Sequence, residues 1–165
     1  MFKINESVIH CREGLSTILS LNSINGKDYF IVRTHQGQAN GETIYVPVET
    51  ASSIIRPILN EKEADKVLKY IKSLKKEFNT NTKQRRDAYK KRLGSGNVED
   101  IAYLYRQLYF YNKIGGENNT EIKLGPVDID MLSYAKNMLL DEFAISYKVE
   151  REDVEDYIEK RIKKL

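Results

Sequence analysis

The stretch IRPILNEKEADKVLKYIKSL, residues 55–74, contains the seam that decides the fold. Asn60 followed by Glu63 has the reciprocal capping pattern of a helix start, with an acceptor at the cap and an acid three residues on. Beyond it Ala64, Val67, Leu68, Ile71, Leu74 and Phe78 recur at helical spacing, which predicts a helix over 61–78. Before it the apolar residues alternate instead. The chain therefore reads as β structure up to Leu59 and as helix from Asn60 onward, an α+β protein of two modules with expected domains 1–58 and 60–165.

Working toward the N-terminus, strands are predicted at 8–11, 15–21, 28–34 and 42–48, with a short fifth at 53–56. In the second, Leu15, Thr17, Leu19 and Leu21 are expected on one face. Asn25-Gly26 lies between the second and third. Both residue types accept positive φ, so this pair specifies a type I′ hairpin. Gly37, Asn40 and Gly41 punctuate a looser connection. Pro47 removes a ladder donor and places the fourth strand at an edge or at its own end. Five short strands in under 60 residues fit a small Tudor/SH3-like β-barrel with part of an edge left open for a partner's strand.

Toward the C-terminus the spacing predicts a bundle of about five helices, over 61–78, 82–93, 98–112, 127–144 and 151–164, with a loop at 115–119. The second of these differs from the rest. Its apolar residues are only Ala88, Tyr89 and Leu93. Lys83, Arg85, Arg86, Lys90, Lys91 and Arg92 face one acid, Asp87. Residues 1–59 carry five basic and five acidic side chains, residues 60–93 twelve and five, and residues 94–165 ten and fourteen. A net charge of +3 thus hides a local positive field, the kind that attracts phosphates. On the next helix Tyr105 and Tyr109 are expected in the core. Tyr103 or Tyr111 is expected either exposed or packed on a neighbouring helix.

Composition excludes much else. At 41% apolar and 31% charged, the 165-residue chain can bury a core. No apolar run approaches the ~20 residues that span a bilayer, and the start has no signal-peptide core, so no membrane association is expected and the cytoplasm is the expected compartment. Cys11 has no cysteine to pair with and reads as a small apolar residue. His10 and His35 lie far apart, and no metal cluster, phosphate-cradling glycine loop or nucleophile–base set is apparent. Asp128 and Asp130 read as helix-start acids. No catalytic residue, metal or cofactor is expected. The chain reads as a binding protein.

The order of these features resembles the CarD/CdnL family of bacterial RNA polymerase-binding transcription regulators. FKINESVIHCREGLSTIL (2–19), INGKDYFIV (24–32) and ETIYVPVETASSIIRPIL (42–59) are similar to the family's N-terminal segments. RLGSGNVEDIAYLYRQLY (92–109) is the most specific match, and LGPVDIDMLSYAKNMLLDEFA (124–144) resembles a later family helix. The resemblance implies an N-terminal Tudor-like domain that docks on the polymerase β subunit, partly by strand pairing. It also implies a helical domain that touches promoter DNA at the upstream edge of the melted bubble, in a protein acting as a monomer. Asn22 and Tyr45 fall where other members place arginines in the polymerase contact, which leaves backbone pairing along Ile44, Tyr45 and Val46 as the expected link. Arg85 matches a basic position of the DNA-facing helix. Gln84 and Asp87 stand where other members can be positive, and Lys83, Arg86 and Lys90 supply charge from adjacent sites. Thr82 occupies the place of a tryptophan that many members wedge against DNA, and this chain has no tryptophan. A protein-only adaptor, its basic helix on an acidic protein, is the alternative.

Overall fold

The computed structural model describes residues 2–35, 41–75, 77, 79–117 and 124–165, with the backbone alone over 110–117. Gly37, Asn40, Phe78, the Asn118-Asn119 part of the expected loop and the side chain of Tyr111 lie outside them. The chain divides into two compact units, Met1–Leu59 and Asn60–Leu165.

The first unit is an antiparallel five-stranded sheet in the order β4-β3-β2-β1-β5. Its strands are β1 (Ser7–His10), β2 (Gly14–Ile24), β3 (Lys27–Thr34), β4 (Thr43–Pro47) and β5 (Ile55–Pro57). Asn25 and Gly26 have φ of 52° and 76° and close the β2–β3 hairpin with Ile24 opposite Lys27, as their chemistry dictates. One face of the sheet carries the core of Val8, Ile18, Phe30, Val32, Val46 and Ile55, with Ala51 closing it.

Two strand expectations are corrected. Leu15, Thr17, Leu19 and Leu21 do not share a face, because the β2–β3 register shifts between Ile18 and Ser20. A bulge adds one residue to one strand, and one residue flips the faces beyond it. Ile18 is therefore the core residue of β2. The segment 53–56 is not one strand either. A single turn, α1 (Ala51–Ile54), buries Ala51 and exposes both serines, and only then does β5 pair with β1.

Among the described residues the second unit holds five α-helices, α2 (Glu61–Ser73), α3 (Thr82–Ser95), α4 (Val98–Glu117), α5 (Pro126–Tyr147) and α6 (Val154–Lys164), the last preceded by a 3-10 turn at Arg151–Asp153. The Asn60 side chain accepts from the Glu63 N–H at 3.0 Å while the Glu63 carboxylate accepts from the Asn60 N–H at 2.9 Å, so the seam is a true capping box. α5 is buried on most sides, with Leu139, Leu140 and Phe143 fully enclosed. Each such side chain contributes about 1.5–3 kcal/mol.

Helix ends moved where tertiary contacts intervene. α2 stops at Ser73, short of 78, because the buried Gln107 of α4 takes over the backbone that follows. Its amide donates to the Lys75 carbonyl at 2.7 Å and accepts from the Glu77 N–H at 3.0 Å, as a neighbouring strand would. α4 continues through Gly115 and Gly116 to Glu117, past the expected end at 112. Glycine costs a helix interior about 1 kcal/mol without forbidding it. α5 runs to Tyr147 and ends on Lys148 at φ 55°, a left-handed cap built without glycine. At the other end of the unit Arg161 of α6 bonds Asp65 of α2 at 2.8 Å and Glu61 at 2.7 Å, while the Tyr147 hydroxyl donates to Asp65 at 3.0 Å.

Candidate nucleic-acid interface and sheet edge

α3 begins at Asn81, whose side chain accepts from the Gln84 N–H at 3.1 Å, and ends before Gly96 at φ 66°. Between these caps it sorts its cations by type. Arg85 is turned inward, with its side chain 5% exposed. Its Nε and Nη2 donate to the two oxygens of Asp128 at 3.3 and 3.0 Å, and its Nη1 donates to the Asn79 carbonyl at 2.8 Å. Arg86, 30% exposed, reaches the same carboxylate at 3.4 Å. Arg92 is ion-paired to Asp100 and lies 4.1 Å over the Tyr103 ring. Lys83, Lys90 and Lys91 are exposed, and none has an ion pair among the described residues.

This corrects the reading of Arg85 and Arg86. Arg85 is enclosed and already holds a bidentate partner, so no phosphate can reach it. Arg86 is committed in part to the same acid. Lys83 and Lys90 keep the exposure that a phosphate contact needs, and Lys91 joins them. At 100° per residue these three flank Asp87 on one side of the helix, opposite Arg85 and Tyr89. The division follows side-chain chemistry. A guanidinium is weakly hydrated and forks onto a carboxylate, whereas an ammonium is strongly hydrated and stays in water. Lys91 was visible in the sequence as part of the basic block; its outward placement was not.

Asp128 does more than cap α5. It is fully enclosed and also accepts from the Gly125 N–H at 3.3 Å. Burial opposes its ionisation, yet the Arg85 bonds and charge, Arg86 and the Gly125 N–H together hold its carboxyl below the ordinary range. Asp65 is likewise held low, first by the Arg161 hydrogen bonds. Both groups bind fewer protons folded than unfolded, so stability rises with pH through their titration. Their contribution is complete above the ordinary aspartate value of 3.8 and is lost as pH falls through the depressed values. Thermal melts followed by circular dichroism from about pH 5 down to about pH 2.5 are expected to show a falling Tm, less steep in Asp128→Asn.

In the first unit β4 ends the strand order, as Pro47 foretold. Ile31 lies opposite both Ser20 and Tyr45, and Tyr29 opposite both Asn22 and Pro47. Cross-strand partners share a face. Asn22 and Tyr45, drawn from separate segments, therefore lie on the same face, away from the core, with β3 between them. Tyr45 is 56% exposed and Ile44 half-buried. Val46 is fully buried in the core, so its side chain is no contact, and only its backbone lies along the edge.

The two histidines each have a partner within the first unit. His10 is buried, and its Nδ1 accepts from the Arg12 and Glu13 N–H groups at 3.2 and 3.1 Å. His35 Nε2 lies 2.7 Å from the Thr17 hydroxyl. Among the described residues no three His, Cys, Asp or Glu side chains gather as a metal site, and no helix is long and apolar enough to cross a membrane.

An antiparallel sheet in which β4 ends the strand order, followed by a helical unit that turns lysines outward on one short helix, is the layout of the described residues. The family model for the CarD C-terminal domain matches residues 66–159, more than half of the chain. The chain belongs to the CarD family, and is thus a CarD-like, transcription-related protein.

Proposed function

We propose that this protein is a non-enzymatic, monomeric cytoplasmic transcription regulator that holds RNA polymerase with one unit and promoter DNA with the other. The first unit acts as a Tudor-like domain and lends the β4 edge, along Ile44, Tyr45 and the Val46 backbone with Asn22 beside it, to the polymerase β subunit. The second lays Lys83, Lys90 and Lys91 along phosphates near the upstream edge of the bubble and modulates the stability of the open complex.

The observation that carries this reading is the sorting on α3. Its three arginines are engaged with Asp128 and Asp100, while its lysines face water around a single acid. Lysines stay in water on any surface helix; what supports phosphate contact is that three of them surround a single acid within nine positions. Contacts of this kind fix no sequence and respond steeply to salt.

Two measurements on the full chain test the reading. Tyr45→Glu places a charge beside the β4 edge, and it is expected to lower capture of polymerase about tenfold while leaving DNA affinity within about twofold. Parallel loss of both would refute the division between units. Gel shifts on promoter DNA at low salt supply the second. Absence of any shift would mean that the lysines meet an acidic protein surface, the adaptor reading.

A further inference from the structure

Beside the lysines, α3 and α4 enclose a hollow of about 490 Å³. It is lined by Arg92, Tyr103, Tyr89, Ala88, Glu77 and Asn79, together with Arg85, whose charge is met by Asp128. Arg92 is the unusual member. One nitrogen is held by Asp100, whose other oxygen accepts from the Ser95 hydroxyl at 2.8 Å, and the guanidinium carbon sits 4.1 Å above the Tyr103 ring. The side chain nevertheless stays 38% exposed. A planar cation fixed from below and from the side, with its remaining surface open, is a stacking platform. Unpaired bases stack on such guanidinium planes and on aromatic rings in single-stranded recognition.

We propose that this hollow receives an unpaired nucleobase, stacked on Arg92 and the Tyr103 ring beneath it. The inference rests on the DNA-binding reading above and deepens it. Three features favour a base over a phosphate. The Arg92 charge is already met by Asp100. Tyr89 and Tyr103 bring aromatic rings to the lining, which suit a base more than a phosphate. Ala88, exposed and small, leaves the way open from the lysine face to the hollow, lying ~60° from Lys91 and ~40° from Arg92 around the helix. A strand whose phosphates follow the lysines can therefore turn one base inward. The site also offers a DNA fork a flat partner in a chain that has no tryptophan.

The test is fluorescence anisotropy with the full chain and three labelled DNAs of equal length. One is a blunt duplex. One is a fork with unpaired cytosine next to the junction. The third is that fork with an abasic residue in place of the cytosine. The fork is expected to bind about tenfold tighter than the duplex, the size of one base stack, and the abasic fork to lose that gain. Arg92→Lys keeps the charge but removes the plane, and should erase the fork-to-duplex ratio. Ala88→Trp, at an exposed position, should do the same by filling the mouth. Equal binding of the cytosine and abasic forks overturns the inference and leaves the lysine reading standing. A fork preference that survives both variants overturns the assignment to this hollow. Failure to bind any of the three DNAs overturns the inference together with the reading beneath it.

Discussion

Asp128→Ala is expected to destabilise the helical unit by about 3–5 kcal/mol, the usual penalty for leaving one partner of a buried ion pair alone. The carboxylate is fully enclosed and Arg85 nearly so. Removing it takes both carboxylate oxygens from a guanidinium inside the protein that cannot lose its proton. It also removes the acceptor of the Gly125 N–H at the start of α5. In a unit of this size the loss corresponds to a Tm lower by more than about 10 °C. Thermal melting reads it directly. The double variant Arg85→Met/Asp128→Leu removes both charges at once and is expected to recover most of the lost stability. A single variant as stable as the parent would mean that the pair carries no structural weight, and Arg85 would return to the list of phosphate contacts.

That pair marks the boundary of what the sequence discloses. The seam at Asn60, the Asn25-Gly26 hairpin and the five helices rest on signals within a few residues of each other, and local chemistry settles them. Arg85 and Asp128 lie 43 positions apart, and no local pattern couples them. Counted along the chain, Arg85 and Arg86 are two cations in a basic block. Placed in the fold, one is internal and the other shares its acid. The same holds for Gln107, an ordinary helical residue in sequence whose amide ends α2 from 32 positions away. The bulge at Ile18–Ser20 is also silent, because an inserted residue changes faces without changing composition. Asn22 and Tyr45 were named from the family pattern; that the register sets both on one face is a relation between strands that alternation within either does not disclose.

Replacing Lys83, Lys90 and Lys91 together by glutamine is expected to weaken DNA binding by about five hundredfold at ~0.1 M salt. Each lysine that neutralises a phosphate releases about 0.9 of a counterion, so each contact is worth a little under tenfold at that salt, and three multiply. The slope of log affinity against log salt should fall by about three units in the same variant, an outcome that loss of shape or folding would not mimic. Folding itself should be unaffected. All three side chains are exposed, and glutamine keeps the helix propensity of lysine. Arg85→Gln is the informative contrast. It touches a residue with the same formal charge on the same helix, yet it should lower Tm while leaving the salt slope of the surviving folded protein as it was. Arg86→Gln, with one 3.4 Å contact and partial exposure, should do a little of each. If Arg85→Gln lowers the slope by one unit at unchanged Tm, the inward guanidinium swings out to meet DNA, and the sorting of arginine from lysine on α3 is not the basis of binding.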